Sequence, residues 1–361
     1  MQNRMLAVCP QEQSRLQDRC LLNINCVGIG DDLDLPLVEL CKALRTEGVE
    51  CHTFDMRPLE CFDGFLFLEM PSKDNSALMY AQSKRLPVFV IIAENHFICR
   101  RNADFDRYSE FTAVFTYNDE AVSRKMAVKL NYAMGLNLPP ENKIGFYDRK
   151  LAVMISSWVK KNRPHLCSHL RLRTIQYYER HHKCDFDLFG PGWEKGIYWK
   201  QTEPELYAWL SRLHLNKVLP KQYLSGCWRG VVDRKRDVIG RYRFAYCYEN
   251  TIEIPGYITE KIFDVMMAGA VPIYLGHSST SNRIPKECYI DRADFRDDAE
   301  LYDYISKMPE EGWRGYLEAA HNFLLSKEAI QFSVPRYVKT VTDVILPKLS
   351  ISQADNLQLG D

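Results

Sequence analysis

The sequence predicts an α/β fold in two domains, and three observations predict it. Short apolar runs alternate with helical patterns through the first half, a strand–loop–helix–strand unit stands uninterrupted at Arg241–Gly276, and 361 residues exceed one typical hydrophobic core. Taken in order, Leu21–Val27, Cys51–Met56, Phe62–Leu68, Leu86–Ala93 and Thr112–Thr116 read as strands, and Leu35–Glu47 and Ser76–Lys84 as helices. Gly28 and Gly30 follow the first strand without a third glycine, so they read as loop glycines rather than a dinucleotide fingerprint. The stretch Asn137–Gly145, NLPPENKIG, concentrates prolines and polar residues and reads as a linker. It divides the chain into domains at 1–145 and 146–350, and Leu151–Val159 opens the second α/β unit. The segment 351–361 is a polar tail, expected to fray from Ser352 onward.

The unit at Arg241–Gly276 carries the chemistry. Arg243–Tyr248 reads as a buried strand running into the polar pair Glu249 and Asn250, and Pro255 and Gly256 turn the chain. Thr259 can cap a helix whose first turn holds Glu260 and Lys261 and whose apolar positions Ile262, Val265, Met266 and Ala268 recur at helical spacing. Gly269 fits the end of that helix, and Ala270–Leu275 is a short apolar run suited to a parallel strand buried on both faces. A helix N-terminus after a strand suits an anion, because unpaired backbone N–H groups and the helix dipole both favour negative charge there. The dipole end contributes roughly 0.3–2 kcal/mol. A full charge on Lys261 near 4 Å from a phosphate in a partly buried site contributes about 4 kcal/mol before desolvation. The lysine therefore dominates, and the acidic Glu260 beside it is better used on sugar hydroxyls, as in dinucleotide folds.

Composition narrows the function classes. Lys and Arg number 47 against 47 Asp and Glu, so no global charge attracts nucleic acid or a membrane surface. Basic residues gather locally at Arg171, Arg173, Arg180 and Lys183, and again from Arg229 to Arg243, enough for a few of them to meet a pyrophosphate. The 12 cysteines include no C-x-x-C spacing. Cys61 and Cys247 lie in apolar runs, where a free thiol packs as a small hydrophobe, and a reduced, cytoplasmic protein is expected. The longest apolar run, Leu86–Ala93, is too short to span a membrane, and no signal peptide is expected.

Glu249-Asn250, then Tyr257-Ile258-Thr259-Glu260-Lys261, then Gly269-Ala270-Val271-Pro272-Ile273-Tyr274 together resemble the signature of family 10 glycosyltransferases, the α-1,3/4-fucosyltransferases. Upstream, Arg173, Tyr177, Tyr178 and Asp187-Leu188-Phe189-Gly190 resemble that family's arginine, aromatic pair and strand-glycine block. Ala93-Glu94-Asn95 and Phe115–Glu120 resemble the acceptor-side pattern of bacterial members. Asn250 and Tyr257 stand one residue further apart than in the family pattern, and His277 follows Gly276 where animal members tend to have proline.

The resemblance implies a GT-B-like fold, two Rossmann-like domains facing across a cleft, in a bacterial-type soluble member, or a Golgi-lumen enzyme whose N-terminal anchor has been removed. It implies inverting transfer of fucose from GDP-fucose to a hydroxyl of an oligosaccharide acceptor, with no metal or other cofactor. Arg173 and Lys261 would take the diphosphate, Asn250 and Tyr257 would line the sugar-nucleotide pocket, Glu260 would hold ribose hydroxyls, and Glu249 would either join them or hold the loop. Glu94, at the end of an apolar strand, is the expected general base for the acceptor hydroxyl, with Asp119 and Glu120 next. His96, His181 and His182 read as surface residues, and Trp193 either stacks on a ligand or packs in the core. Two alternatives share these residues: a GDP-linked sugar other than fucose, and a non-catalytic GDP-sugar-binding or assembly subunit.

Overall fold

The computed structural model describes residues 4–25, 31–139, 144–158, 167–195, 209–210, 212–213 and 226–358. They form two compact units, the first comprising Met1–Leu136, Ile254–Glu260 and Ser326–Asp361, the second Asn137–Glu253 and Lys261–Leu325.

The first unit is built on six parallel strands, β1 (Arg4–Cys9), β2 (Val49–Thr53), β3 (Gly64–Leu68), β4 (Val88–Ile92), β5 (Ala113–Thr116) and β6 (Val128–Lys129). Their order is β2-β1-β3-β4-β5-β6, so the sheet reverses direction of growth between β1 and β3. Strand side chains alternate between two cores. Leu6, Val8, Leu66, Phe89, Ile91 and Phe115 face one side, and Ala7, Phe65, Phe67, Val90 and Ile92 the other. This two-sided burial is why β4 reads as an unbroken apolar run. Helix α1 (Arg19–Leu22) and α2 (Leu35–Thr46) cover the first face, and α3 (Ser76–Ser83) the second. A short α4 (Asp119–Ser123) follows β5.

The second unit holds five parallel strands, β7 (Lys150–Ile155), β8 (Phe186–Phe189), β9 (Tyr242–Tyr248), β10 (Val271–Leu275) and β11 (Ile290–Asp291), in the order β11-β10-β9-β7-β8. The reversal here lies between β7 and β9. Open sheets of this kind bind ligands beyond the carboxyl ends of the strands beside such a reversal. Helix α5 (Ser168–His181) follows β7, α6 (Lys235–Ile239) precedes β9, and α7 (Glu260–Met267) joins β9 to β10. Then α8 (Asp298–Lys307) and α9 (Glu310–Leu325) complete the unit. Gly269, at φ +72°, takes the left-handed turn that ends α7.

The last helix, α10 (Val334–Gln358), returns to the first unit, because Val341, Ile345 and Leu349 recur at i, i+4 and i+8 and pack into its core. The division thus differs from the sequence boundaries. The changeover falls between Leu136 and Asn137, at the first residue of the expected linker rather than at its end, and 326–358 joins the first unit. Residues 352–358 of the expected tail fall within the end of α10, and 359–361 lie outside the described residues. The expected strand Leu21–Val27 is also corrected. The first strand is Arg4–Cys9, and Leu21 ends up in α1, since periodicity does not distinguish a short buried strand from a buried helical turn. Gly28 and Gly30 lie outside the described residues. Cys247 is buried as expected, whereas Cys61 is exposed. No helix among the described residues is long and apolar enough to cross a membrane.

Candidate active site

In the first unit, β3 and β4 each end in a carboxylate. Glu69 follows β3 and takes φ +77°, a left-handed conformation that costs a non-glycine residue about 1–2 kcal/mol. Its Oε1 accepts from the backbone N–H of Ala93 at 3.0 Å and of Glu94 at 2.8 Å, and its Oε2 from Asn102 Nδ2 at 2.6 Å. Asn102 also donates to the Glu94 carbonyl at 2.8 Å and accepts from Met70 N–H at 3.1 Å. Burial pushes the Glu69 carboxyl up to about 7, helped by the charge of Glu94 and opposed by the hydrogen bonds it accepts. Glu94 follows β4 and is half-buried.

The next residue, Asn95, is fully enclosed. Its Oδ1 accepts from the N–H groups of Phe97 and Ile98, and its Nδ2 donates to the Tyr257 hydroxyl at 3.2 Å. Tyr257 packs against Tyr117 and Tyr132 with ring centroids 4.9 and 6.1 Å away, and Tyr132 donates to the Ala93 carbonyl. Burial holds the Tyr117 and Tyr132 hydroxyls protonated, and in Tyr132 the charges of Glu94 and Glu260 add to it. The 254–260 loop is pinned to the first unit at Gly256, where φ is +84° and an added Cβ would lie 2.4 Å from the Tyr117 carbonyl oxygen. Asp119 donates its N–H to the Pro255 carbonyl at 3.1 Å and pairs its carboxylate with Lys129 at 2.8 Å, while Glu120 pairs with Arg124 on the surface.

In the second unit the chemistry gathers at the end of β9. Glu249 is completely buried, accepting from the Tyr274 hydroxyl at 3.2 Å and lying 3.4 Å from Lys261 Nζ. A buried carboxylate held by a lysine and a hydroxyl fixes that lysine in place. Arg171, on the sheet side of α5, donates to the carbonyls of Tyr248 and Glu249 at 2.5 and 3.0 Å and to Asn250 Oδ1 at 3.1 Å. The Asn250 carbonyl accepts from Cys167 N–H at the start of α5, at 2.8 Å. The structure therefore brings Glu249, Asn250 and Lys261 together and adds Arg171. Arg173 is exposed. Two residues along a helix rotate about 200°, so Arg171 and Arg173 occupy opposite faces and only one of them reaches the strand end.

Tyr257 and Glu260 belong to the first unit with Glu94. Tyr257, only 1% exposed, holds the loop. Trp193 is core packing: its ring lies 5.0 Å from Trp158 and its Nε1 donates to the Ser156 carbonyl at 2.6 Å. His182 stacks on Tyr302 at 3.6 Å, and His96 lies 4.3 Å from Phe97. Sequence reasoning missed Glu69 and Asn102, named Arg171 only as one of a basic cluster, and gave Tyr274 no role within the motif. Glu69 carried the same signal as Glu94, a carboxylate closing an apolar strand, in FLFLE as in VFVIIAE. Among the described residues no group of three or more His, Cys, Asp or Glu side chains is arranged to hold a metal ion.

Residues 215–329 match the family model for glycosyltransferase family 10 (fucosyltransferase), C-terminal part. The chain is 35% identical over 74 residues to the α-(1,3)-fucosyltransferase FucT of Helicobacter pylori, 20% of this chain and 15% of that protein. It is 32% identical over 79 residues to the α-(1,4)-fucosyltransferase of Arabidopsis thaliana, 22% of this chain and 20% of that protein. The matches thus span a fifth or less of these two relatives. Among solved structures, an α1,3-fucosyltransferase with GDP matches at TM-score 0.51 and 13% identity, covering 94% of this chain and 90% of that one. The T4 phage BGT in complex with its UDP-glucose substrate matches at TM-score 0.52 and 13% identity, covering 94% and 99%. At these identities the likeness establishes the fold class, GT-B, with two parallel α/β units.

Proposed function

We propose, from the match of residues 215–329 to the family 10 glycosyltransferase C-terminal model, that the protein transfers fucose from GDP-fucose, with inversion, to a hydroxyl of an oligosaccharide acceptor. The observation that carries this reading is the Lys261–Glu249 pair at the end of β9, joined by Arg171 and Asn250 and lying within or against the family segment. In the transfer, the acceptor oxygen forms a bond to the anomeric carbon while the bond from that carbon to the β-phosphate oxygen breaks. The electron pair leaves with GDP, and the acceptor proton passes to Glu94. Lys261 and Arg171 offset the charge that develops on the diphosphate, Arg171 through a planar fork able to bind two oxygens. Glu249 holds Lys261 in place and Asn250 lines the sugar-nucleotide pocket. Tyr257 holds the loop that carries Glu260, which takes the ribose hydroxyls. Two cationic side chains suffice for the leaving group, so the reaction is expected to run without a metal.

The test is a transfer assay with GDP-fucose and a galactose–N-acetylglucosamine disaccharide, the product's anomeric configuration read by NMR. A fucosylated product with configuration opposite to that of the sugar donor, formed at nearly full rate in EDTA, is expected. Retained configuration contradicts inversion, and loss of activity in EDTA restored by a divalent ion contradicts the metal-free reading.

A further inference from the structure

The carboxylate that closes β3 has no place in the scheme above, yet it is built into the loop that carries the proposed base. Glu69 adopts φ +77° at the carboxyl end of a central strand, beside the sheet's reversal point. Such strain persists where surrounding structure over-determines it. Here Glu69 accepts the N–H groups of Ala93 and Glu94 on one oxygen and Asn102 Nδ2 on the other, and Asn102 in turn binds the Glu94 carbonyl. Both backbone polar groups of Glu94 are thus fixed by this pair.

We propose that Glu69 is the positioning residue of Glu94: it clamps the backbone of the loop carrying that base and places a second negative charge beside it. The inference rests on the reading of Glu94 as the base. Two like charges held close oppose each other's ionisation, so an ionised Glu69 makes Glu94 hold a proton more strongly. A stronger base takes the acceptor proton more readily. Glu69 itself is pushed up to about 7, by burial first and then by the charge of Glu94, so its own charge is gained within the working pH range. The other groups facing Glu69 do not compete there. Cys99, Tyr108, Tyr117 and Tyr337 are all pushed upward and stay protonated, and Arg101 binds the Met70 carbonyl through its Nε.

The experiment measures GDP release from GDP-fucose, with water and with the disaccharide as acceptor, across pH for wild type, Glu69→Gln, Glu69→Asp and Glu94→Gln. Glu69→Gln keeps an oxygen for the two N–H groups and removes the charge. Its acid limb of kcat/KM is expected to move down by at least about half a pH unit and its plateau kcat to fall about fivefold or more, with GDP affinity unchanged. Glu69→Asp keeps the charge and loses the reach, so its kcat falls while the acid limb stays. A purely structural role would lower activity in both variants without moving the limb, and that result overturns the inference. If Glu94→Gln abolishes turnover while Glu69→Gln keeps both limb and kcat, this inference alone fails. If Glu94→Gln turns over normally, or wild type releases no GDP with either acceptor, the functional reading beneath it fails.

Discussion

At the scale of single residues, Lys261 shows how the fold converts a sequence motif into a site. Its ammonium is held 3.4 Å from a carboxylate that is completely buried, so Glu249 orients the cation at the strand end at the cost of its own desolvation. Arg171 is the second cation there, and it differs from Arg173 only in helical phase. Lys261→Ala and Arg171→Ala are each expected to weaken GDP binding tenfold or more, about 1.4 kcal/mol, whereas Arg173→Ala leaves it within about twofold. Calorimetric titration of the three variants checks this, and a larger loss in Arg173→Ala would return the phosphate role to that residue. The lysine and its partner were readable in the sequence because the motif is local. The arginine was not, because two positions along α5 reverse the face a side chain occupies, and a basic cluster holding both Arg171 and Arg173 does not say which of them meets the strand end. Glu69 went unread for a different reason: a carboxylate after a strand is common, and what distinguishes it is a pair of hydrogen bonds to residues 24 and 25 positions away.

At the scale of elements, the strand–loop–helix–strand unit at Arg241–Gly276 was the most legible part of the chain. β9, α7 and β10 begin and end within a few residues of their expected bounds, because a polar pair, a proline-glycine turn and a closing glycine punctuate them. The first strand was not legible, since the apolar runs at Arg4–Cys9 and Leu21–Val27 carry the same pattern, whereas Arg4–Cys9 enters the sheet and Leu21 and Leu22 lie in α1. Also beyond local pattern is the docking of the 254–260 loop on the first unit, where Asn95 meets Tyr257 across 162 positions. Gly256 makes that docking possible. Gly256→Ala forces a side chain onto a positive φ and sets a Cβ 2.4 Å from a backbone oxygen. A stability loss of about 2 kcal/mol or more in urea unfolding is expected, with the rate of GDP release from GDP-fucose falling as the loop lifts. Unchanged stability would show that the loop tolerates displacement.

At the scale of the whole molecule, the α/β rhythm and the chain length foretold an α/β fold in two domains, the family resemblance implied that both are Rossmann-like, and both sheets have the same pattern of one reversal in strand order. The chain path was less predictable. The first unit draws on three separate stretches, including a C-terminal helix whose apolar stripe at Val341, Ile345 and Leu349 names no partner by itself. A stripe shows that a helix is covered and is silent on which core covers it. The reading of Lys261, Arg171 and Asn250 as a GDP-sugar site turns on nucleotide selectivity, which calorimetric binding of GDP, UDP, CMP, GDP-fucose and GDP-mannose to the full chain measures. Selective binding of GDP and GDP-fucose is the predicted result. Absence of GDP binding, or a preference for UDP or CMP, would contradict the assignment of Lys261, Arg171 and Asn250 to a GDP-sugar.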